Sequence, residues 1–176
     1  MKRREALQHV ALLMGSALAA PTVAGAMGQI LNTEPGVTLT PAQEALVAEV
    51  ADVIIPTTST PGAKEAGAEK FIIRVMRDCY PKADQDAFYA GLAKLDADSK
   101  TRFSKGFMDL DTAQKNEMVK DLTVSNKPFF LRLKELTTTG YFTSEIGATK
   151  ALAYLPVPGR FDGCMPIQPG QKTWAM

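Results

Sequence analysis

The chain has 176 residues, of which 45% are hydrophobic and 22% are charged, and its formal net charge is +1. This length and composition are typical of one globular domain preceded by a short leader. Removal of residues 1–26 would take away Lys2, Arg3, Arg4 and Glu5, which leaves 17 basic and 18 acidic side chains. A domain so close to neutral lacks the basic surface that nucleic-acid binding requires, so we expect no nucleic-acid partner.

Residues 1–26 contain the three regions of an export signal in their usual order. A basic start with paired Arg3 and Arg4 is followed by an apolar stretch from Val10 to Ala20 and by the small-residue site Ala-Gly-Ala. The apolar stretch is shorter than a membrane span, which favours a signal over an anchor. The arginine pair favours the twin-arginine route to the periplasm, which carries folded proteins.

Two other interpretations of the leader stand beside this one. Glu5-Ala6 occupy positions where a twin-arginine signal often has a residue such as phenylalanine, so the general secretory route is an alternative. The segment could also be the amphipathic N-terminal helix of a cytosolic protein. The order of the three regions favours export.

Helical periodicity dominates the chain after a polar linker at residues 27–39. Thr40 begins a capping box with proline at the first helical position, and Pro56 ends that helix. A second helix is predicted around Phe71–Cys79 and a third from about Asp84, followed by a shorter element with Phe103, Phe107 and Leu110. Another helix is predicted after a start signal at Asp111. The last is predicted to begin at Pro128, to break at Gly140 and to resume briefly after Ser144.

No stretch alternates long enough to predict a strand, so the expected fold is all-α. It is a compact bundle of several short helices over residues 40–150, with an extended arm rich in proline and aromatic residues over 151–176. The apolar positions predict a core that includes Leu46, Val50, Phe71, Val75, Leu92, Phe130 and Leu133.

Residue types that usually carry chemistry are scarce beyond the leader. The single histidine is His9, the two cysteines form neither CxxC nor CxxCH, and no GxGxxG follows a strand. The candidate acid–base residues lack paired spacing and are typical of helix caps or solvated faces; they are Asp109, Asp111, Glu135, Glu145 and Asp162. We therefore expect no catalytic residue, no metal site and no flavin or haem bound by this polypeptide.

Cys79 and Cys164 allow two interpretations in an exported protein. They could form one internal disulfide, which would contribute about 4–5 kcal/mol by closing a long loop. Alternatively, Cys79 is a buried apolar residue and Cys164 pairs with a partner chain. The spacing of Cys79 from Val75 and Met76 favours burial.

The C-terminal arm is the candidate interface with a partner. Tyr154, Phe161 and Trp174 lie among prolines, where little regular structure can bury them, and aromatic and arginine side chains are enriched at interfaces. The predicted interface consists of Tyr154, Pro156, Pro158, Arg160, Phe161, Cys164 and Trp174. The alternative is that the aromatic side chains wrap the arm onto its own domain, which we expect for Tyr141 and Phe142.

Two blocks, LTPAQEALVAEVADVIIPTTSTPGAKEAG and GYFTSEIGATKALAYLPVPGRFDGC, resemble the gluconate 2-dehydrogenase subunit 3 family. These are small, or gamma, subunits of bacterial flavin-dependent sugar and polyol dehydrogenase complexes. The resemblance implies a catalytic partner of the glucose-methanol-choline oxidoreductase type that carries FAD and is often coupled to a cytochrome c subunit with haem. Membrane association would then come only through partners.

The resemblance also implies a role. The small subunit has no redox centre and acts in assembly, stability and twin-arginine export of the flavoprotein, which lacks its own signal. The substrate stays open among gluconate, glucose, fructose, other polyols and glycosides oxidised at carbon 3. A free-standing periplasmic binding or structural module is the alternative from another class.

Overall fold

The computed structural model describes residues 39–155, 157, 159, 163–164 and 166–175. Within these residues there is no strand, and the all-α prediction is confirmed. The helices are α1 (Pro41–Ile54), α2 (Ala68–Cys79), α3 (Lys82–Phe103), α4 (Thr112–Ser125) and α5 (Lys127–Phe142), with a 3-10 turn (Phe107–Asp109) between α3 and α4 and a π-helical turn (Gly147–Ala151) after α5.

Two capping boxes set the starts of α1 and α4. At α1 the hydroxyl of Thr40 accepts from the Gln43 amide at 3.3 Å, and the Gln43 side chain accepts from the Thr40 amide at 2.9 Å. At α4 the carboxylate of Asp111 accepts from the Gln114 amide at 2.8 Å, and the Gln114 side chain accepts from the Asp111 amide at 3.3 Å. Each box satisfies two amides at the helix start, so both helices begin where the sequence predicts.

The α2–α3 corner depends on a polar side chain inside the bundle. Gln85 is buried, and its amide nitrogen donates to the carbonyls of Tyr80 at 2.9 Å and Arg77 at 3.2 Å. These carbonyls lie at the end of α2, where no further turn of helix can pair them. A glutamine on α3 therefore caps the preceding helix.

Helix α5 is the central element, because it contacts each of the other four α-helices. Its buried face carries Phe129, Leu133, Leu136 and Tyr141, and the Phe129 ring lies 5.4 Å from that of Phe88 on α3. The predicted core is largely confirmed: Leu46, Val50, Leu92 and Leu133 are buried, while Phe71, Val75 and Phe130 are half-buried and pack against the core.

The predicted break of the last helix at Gly140 is wrong. Helix α5 continues through Gly140 to Phe142, and helical residues resume at Glu145. A Cβ atom at Gly140 would lie 2.9 Å from the Phe71 ring of α2. Glycine is needed here because it lets α2 and α5 approach each other, not because the chain turns.

The prediction that Cys79 is buried is also wrong, since Cys79 is exposed. The buried residues of α2 are Ala68, Ile72 and Met76, which recur every four positions. The next position in that series is Tyr80, so Cys79 lies beside the inward stripe in the final turn of α2.

Candidate partner interface

The corner that precedes the arm is fixed by Tyr141. This side chain is buried, as the sequence predicts, and its hydroxyl donates to the Pro61 carbonyl at 2.7 Å. The Ser144 hydroxyl donates to the Tyr141 carbonyl at 2.6 Å and accepts from the Gly147 amide at 3.0 Å. A Cβ atom at Gly147 would lie 1.9 Å from the Tyr141 carbonyl oxygen, so only glycine fits this corner.

The loop between α1 and α2 packs against the same corner. Its Ala63 amide donates to the Ile55 carbonyl at 2.8 Å, and its Gly62 amide donates to the Thr57 hydroxyl at 3.0 Å. The bond from Tyr141 to Pro61 joins this loop to the end of α5. The two sequence blocks that carry the family resemblance therefore meet in space.

An ion-pair triad holds the loop between α1 and α2 to the bundle. Glu49 of α1 contacts Lys64 of the loop at 2.8 Å and Lys115 of α4 at 2.7 Å. The hydrogen bonds from Lys115 and Lys64 hold the pKa of the Glu49 carboxyl below its ordinary value of 4.5. Only 18% of the Glu49 side chain is exposed, which reduces screening of these contacts. The triad ties three segments together and has no catalytic geometry.

The arm exposes large apolar side chains. Tyr154 is 59% exposed and Trp174 is 47% exposed. In the part of the chain that the structure describes, five of the nine exposed large apolar residues lie in the arm: Tyr154, Leu155, Val157, Ile167 and Trp174. Contiguous exposed apolar patches are typical of interaction sites, so the arm is the candidate for one.

The arm is closed at its base. Ala153 and Trp174 form an isolated parallel bridge, in which the Ala153 amide donates to the Thr173 carbonyl at 2.8 Å and the Ala175 amide donates to the Ala153 carbonyl at 2.9 Å. The ammonium of Lys172 also donates to the Lys150 carbonyl. The extended arm of the sequence prediction therefore returns to its starting point as a loop.

Three of the predicted interface residues lie in the described part of the arm, and all three, Tyr154, Cys164 and Trp174, are exposed. The bridge brings Tyr154 and Trp174 to the same end of the loop, because one follows Ala153 and the other pairs with it. Pro156, Pro158, Arg160 and Phe161 lie outside the described residues, as do Arg3, Arg4 and the rest of the predicted signal.

Sequence reasoning missed Leu155, Val157 and Ile167 as part of this surface. The signal was available, because each is an apolar residue next to a proline, and proline excludes the regular helix that would turn it inward.

Concave regions of the bundle include a cavity and a groove. A cavity of about 190 Å³ lies where α2, α3 and α5 meet; Met76, Phe88 and Phe129 line it, with Asp84 and Arg132 among its polar residues. A wider groove between α1 and α2 is lined by charged side chains of mixed sign, Glu44, Glu69, Lys70, Arg74 and Arg77. Neither region gathers the nucleophile, base and orienting group of a catalytic constellation.

Among the described residues, no cluster of three or more His, Cys, Asp or Glu side chains could hold a metal ion. Across the same residues, no helix has the length and apolar character needed to cross a membrane.

Comparison with known protein families shows which family the chain belongs to. The family model for gluconate 2-dehydrogenase subunit 3 matches residues 41–159, from the start of α1 into the arm. The chain belongs to this family. No curated protein and no solved structure matches it. As a gluconate 2-dehydrogenase subunit 3 protein, it is a component of a multi-subunit dehydrogenase complex, and Tyr154 lies within the matched region.

Proposed function

We propose that this chain is the non-catalytic small subunit of a periplasmic, FAD-dependent dehydrogenase complex, and that its C-terminal arm binds the flavoprotein subunit. The observation that carries the proposal is the concentration of exposed apolar side chains in the arm of a chain whose family is named for a dehydrogenase subunit. FAD and any haem would reside in the partner subunits.

The chemistry of the arm suits a protein partner. Tyrosine and tryptophan combine a large contact area with few rotatable bonds, so they lose little side-chain entropy when they become buried. A few such anchors commonly dominate the binding energy of an interface. Tyr154 and Trp174 are the anchors that we assign from the described residues, and Phe161 keeps the role that the sequence predicts for it.

The bundle that bears the arm suits an assembly factor. Its core, its capping boxes and the Tyr141–Pro61 contact give the arm a rigid base. We propose that this base stabilises the flavoprotein and, with the Arg3-Arg4 signal, accompanies the folded partner through the twin-arginine route. A flavoprotein that folds around FAD in the cytoplasm needs an export route for folded proteins.

Co-purification tests the proposal. The tagged chain should capture a yellow flavoprotein subunit when the two are expressed together, and Tyr154→Ala with Trp174→Ala should reduce the captured flavin. The control is Val124→Ala with Leu131→Ala, which removes two exposed apolar side chains from α4 and α5 instead. Equal loss in both double variants, or no flavoprotein with the wild type, would contradict the proposal.

The export role has its own test. Replacement of Arg3 and Arg4 by lysine should retain both the chain and the flavoprotein in the cytoplasm. Unchanged dehydrogenase activity in the periplasm would contradict the escort role and leave binding by the arm unaffected.

A further inference from the structure

The base of the arm is held by hydrogen bonds between its two ends rather than by its exposed apolar side chains. The Ala153 amide bonds to Thr173, the Ala175 amide bonds to Ala153, and the Lys172 ammonium bonds to the carbonyl of Lys150. We call this set the clasp. The Lys172 contact suits its position, because a cation is stabilised by carbonyls at the end of a helical turn.

The clasp is attached to the bundle on one side. The Leu152 amide donates to the Gly147 carbonyl at 2.9 Å, and Ala151 packs against the core. Gly147 is in turn bonded to Ser144 at the corner after α5. Ala153 is therefore held next to the bundle, and residues 173–175 bind back to it.

From this arrangement we propose that the clasp sets the affinity for the flavoprotein subunit by holding the arm as a closed loop before the partner arrives. The inference rests on the proposed function, since it specifies how the same surface is prepared. The exposed residues Tyr154 and Leu155 follow Ala153 directly and Trp174 pairs with it, so closure fixes the spacing of these residues along the backbone.

The physical reason is conformational entropy. An open arm samples many backbone conformations and must lose them on binding, which weakens the complex. If only a fraction of the molecules is closed, the apparent dissociation constant rises by the inverse of that fraction. A clasp made within the free chain keeps that fraction high.

Ala175→Pro tests the clasp without removing an exposed aromatic or aliphatic anchor. Proline has no amide hydrogen, so the bond from residue 175 to the Ala153 carbonyl is lost. The matched control is Ala175→Ser, which keeps the donor. We expect Ala175→Pro to bind the flavoprotein subunit roughly tenfold more weakly than Ala175→Ser, as loss of one net hydrogen bond implies.

Lys172→Met is an independent probe of the same clasp. It keeps an unbranched side chain and removes the donor to the Lys150 carbonyl. We expect severalfold weaker binding and an unchanged melting temperature. In the unbound protein, the Ala153 and Ala175 amides should also exchange with solvent more slowly than amides without a partner, since both donate in the clasp.

The outcomes separate this inference from the proposed function. If Tyr154→Ala with Trp174→Ala abolishes binding while Ala175→Pro and Lys172→Met bind like Ala175→Ser, the clasp is overturned and the interface stands. If the aromatic double variant binds like the wild type, the proposed interface itself fails. Exchange of the Ala153 and Ala175 amides at the rate of an unstructured chain would also overturn the clasp.

Discussion

The helical bundle buries its large apolar side chains, whereas the C-terminal arm leaves its own exposed. In the bundle Leu133, Tyr141 and Ile72 are almost fully buried, whereas in the arm Tyr154 and Trp174 remain about half exposed or more. The bundle is held by side-chain packing around α5, and the base of the arm is held by a few hydrogen bonds.

This difference separates the two contributions of the chain. Burial of apolar area is the main source of folding stability, so the bundle should account for most of the unfolding free energy. The arm leaves that same kind of area unburied, so it should contribute little to folding and much to association. Each of the following substitutions is expected to change either the folding stability of the chain or its binding to the partner, and to leave the other unchanged.

The largest effect on stability should come from Leu133→Ala. Leu133 is fully buried in α5, and its truncation should lower the free energy of unfolding by about 3 kcal/mol through lost transfer energy and a cavity. Leu131→Ala, two positions away on the same helix and half exposed, is the control and should change it by less than about 0.5 kcal/mol. Urea denaturation measures the free energy of unfolding of both variants. Equal losses would mean that Leu133 and Leu131 do not differ in burial as described.

The next largest effect should be on binding. Tyr154→Ala should weaken the complex with the flavoprotein subunit by about 2 kcal/mol, or roughly thirtyfold, mostly through faster dissociation. The urea midpoint of the isolated chain should not change. Surface plasmon resonance measures the rates, with Val124→Ala on α4 as the exposed apolar control. A loss of folding stability with unchanged binding would place Tyr154 with the bundle.

A smaller effect should follow from removal of the Tyr141 hydroxyl. Tyr141→Phe keeps the buried ring and deprives the Pro61 carbonyl of its donor, so unfolding should become easier by about 1.5 kcal/mol. Tyr154→Phe makes the same chemical change at an exposed position and should leave stability unchanged. Identical urea midpoints for the wild type and Tyr141→Phe would show that the bond from Tyr141 to Pro61 does not stabilise the loop between α1 and α2.

The smallest effect should be electrostatic and dependent on pH. Because Lys115 and Lys64 lower the pKa of Glu49 in the folded state, the unfolded chain binds more protons in the acid range. The contribution of Glu49 is therefore present above its unfolded pKa and is lost as the pH falls through its folded pKa. Glu49→Gln should reduce stability by about 1 kcal/mol at pH 7 and by progressively less in acid. Glu65→Gln, at an exposed position of the loop that carries Lys64, is the control substitution, and an equal loss in both variants would contradict the role of the triad.

Much of the bundle could be predicted from sequence because local chemistry determines it. The capping boxes at Thr40 and Asp111 and the proline at position 128 mark helix starts through bonds within one turn. The glycine at position 140 misled the prediction, because its role depends on Phe71 of a different helix. Cys79 was misplaced for a related reason, since the exact stripe that α2 buries is set by tertiary packing.

The exposure of two residues of the candidate interface was predictable from sequence. The exposed positions of Tyr154 and Trp174 agree with what proline spacing implies, because prolines prevent the helices that would bury them. The closure of the arm could not be predicted, since one parallel bridge between Ala153 and Trp174 has no sequence periodicity. The contact of Tyr141 with Pro61 likewise joins residues far apart in the chain and leaves no local signal.

Hydrogen exchange of the chain, alone and with the flavoprotein subunit, tests the central claim most directly. The arm is proposed to be the binding surface, so amides in segments 153–155 and 166–175 should gain protection in the complex. Those of α3 and α4 should exchange as in the free chain. Protection confined to the bundle, with the arm exchanging equally in both samples, would contradict the account.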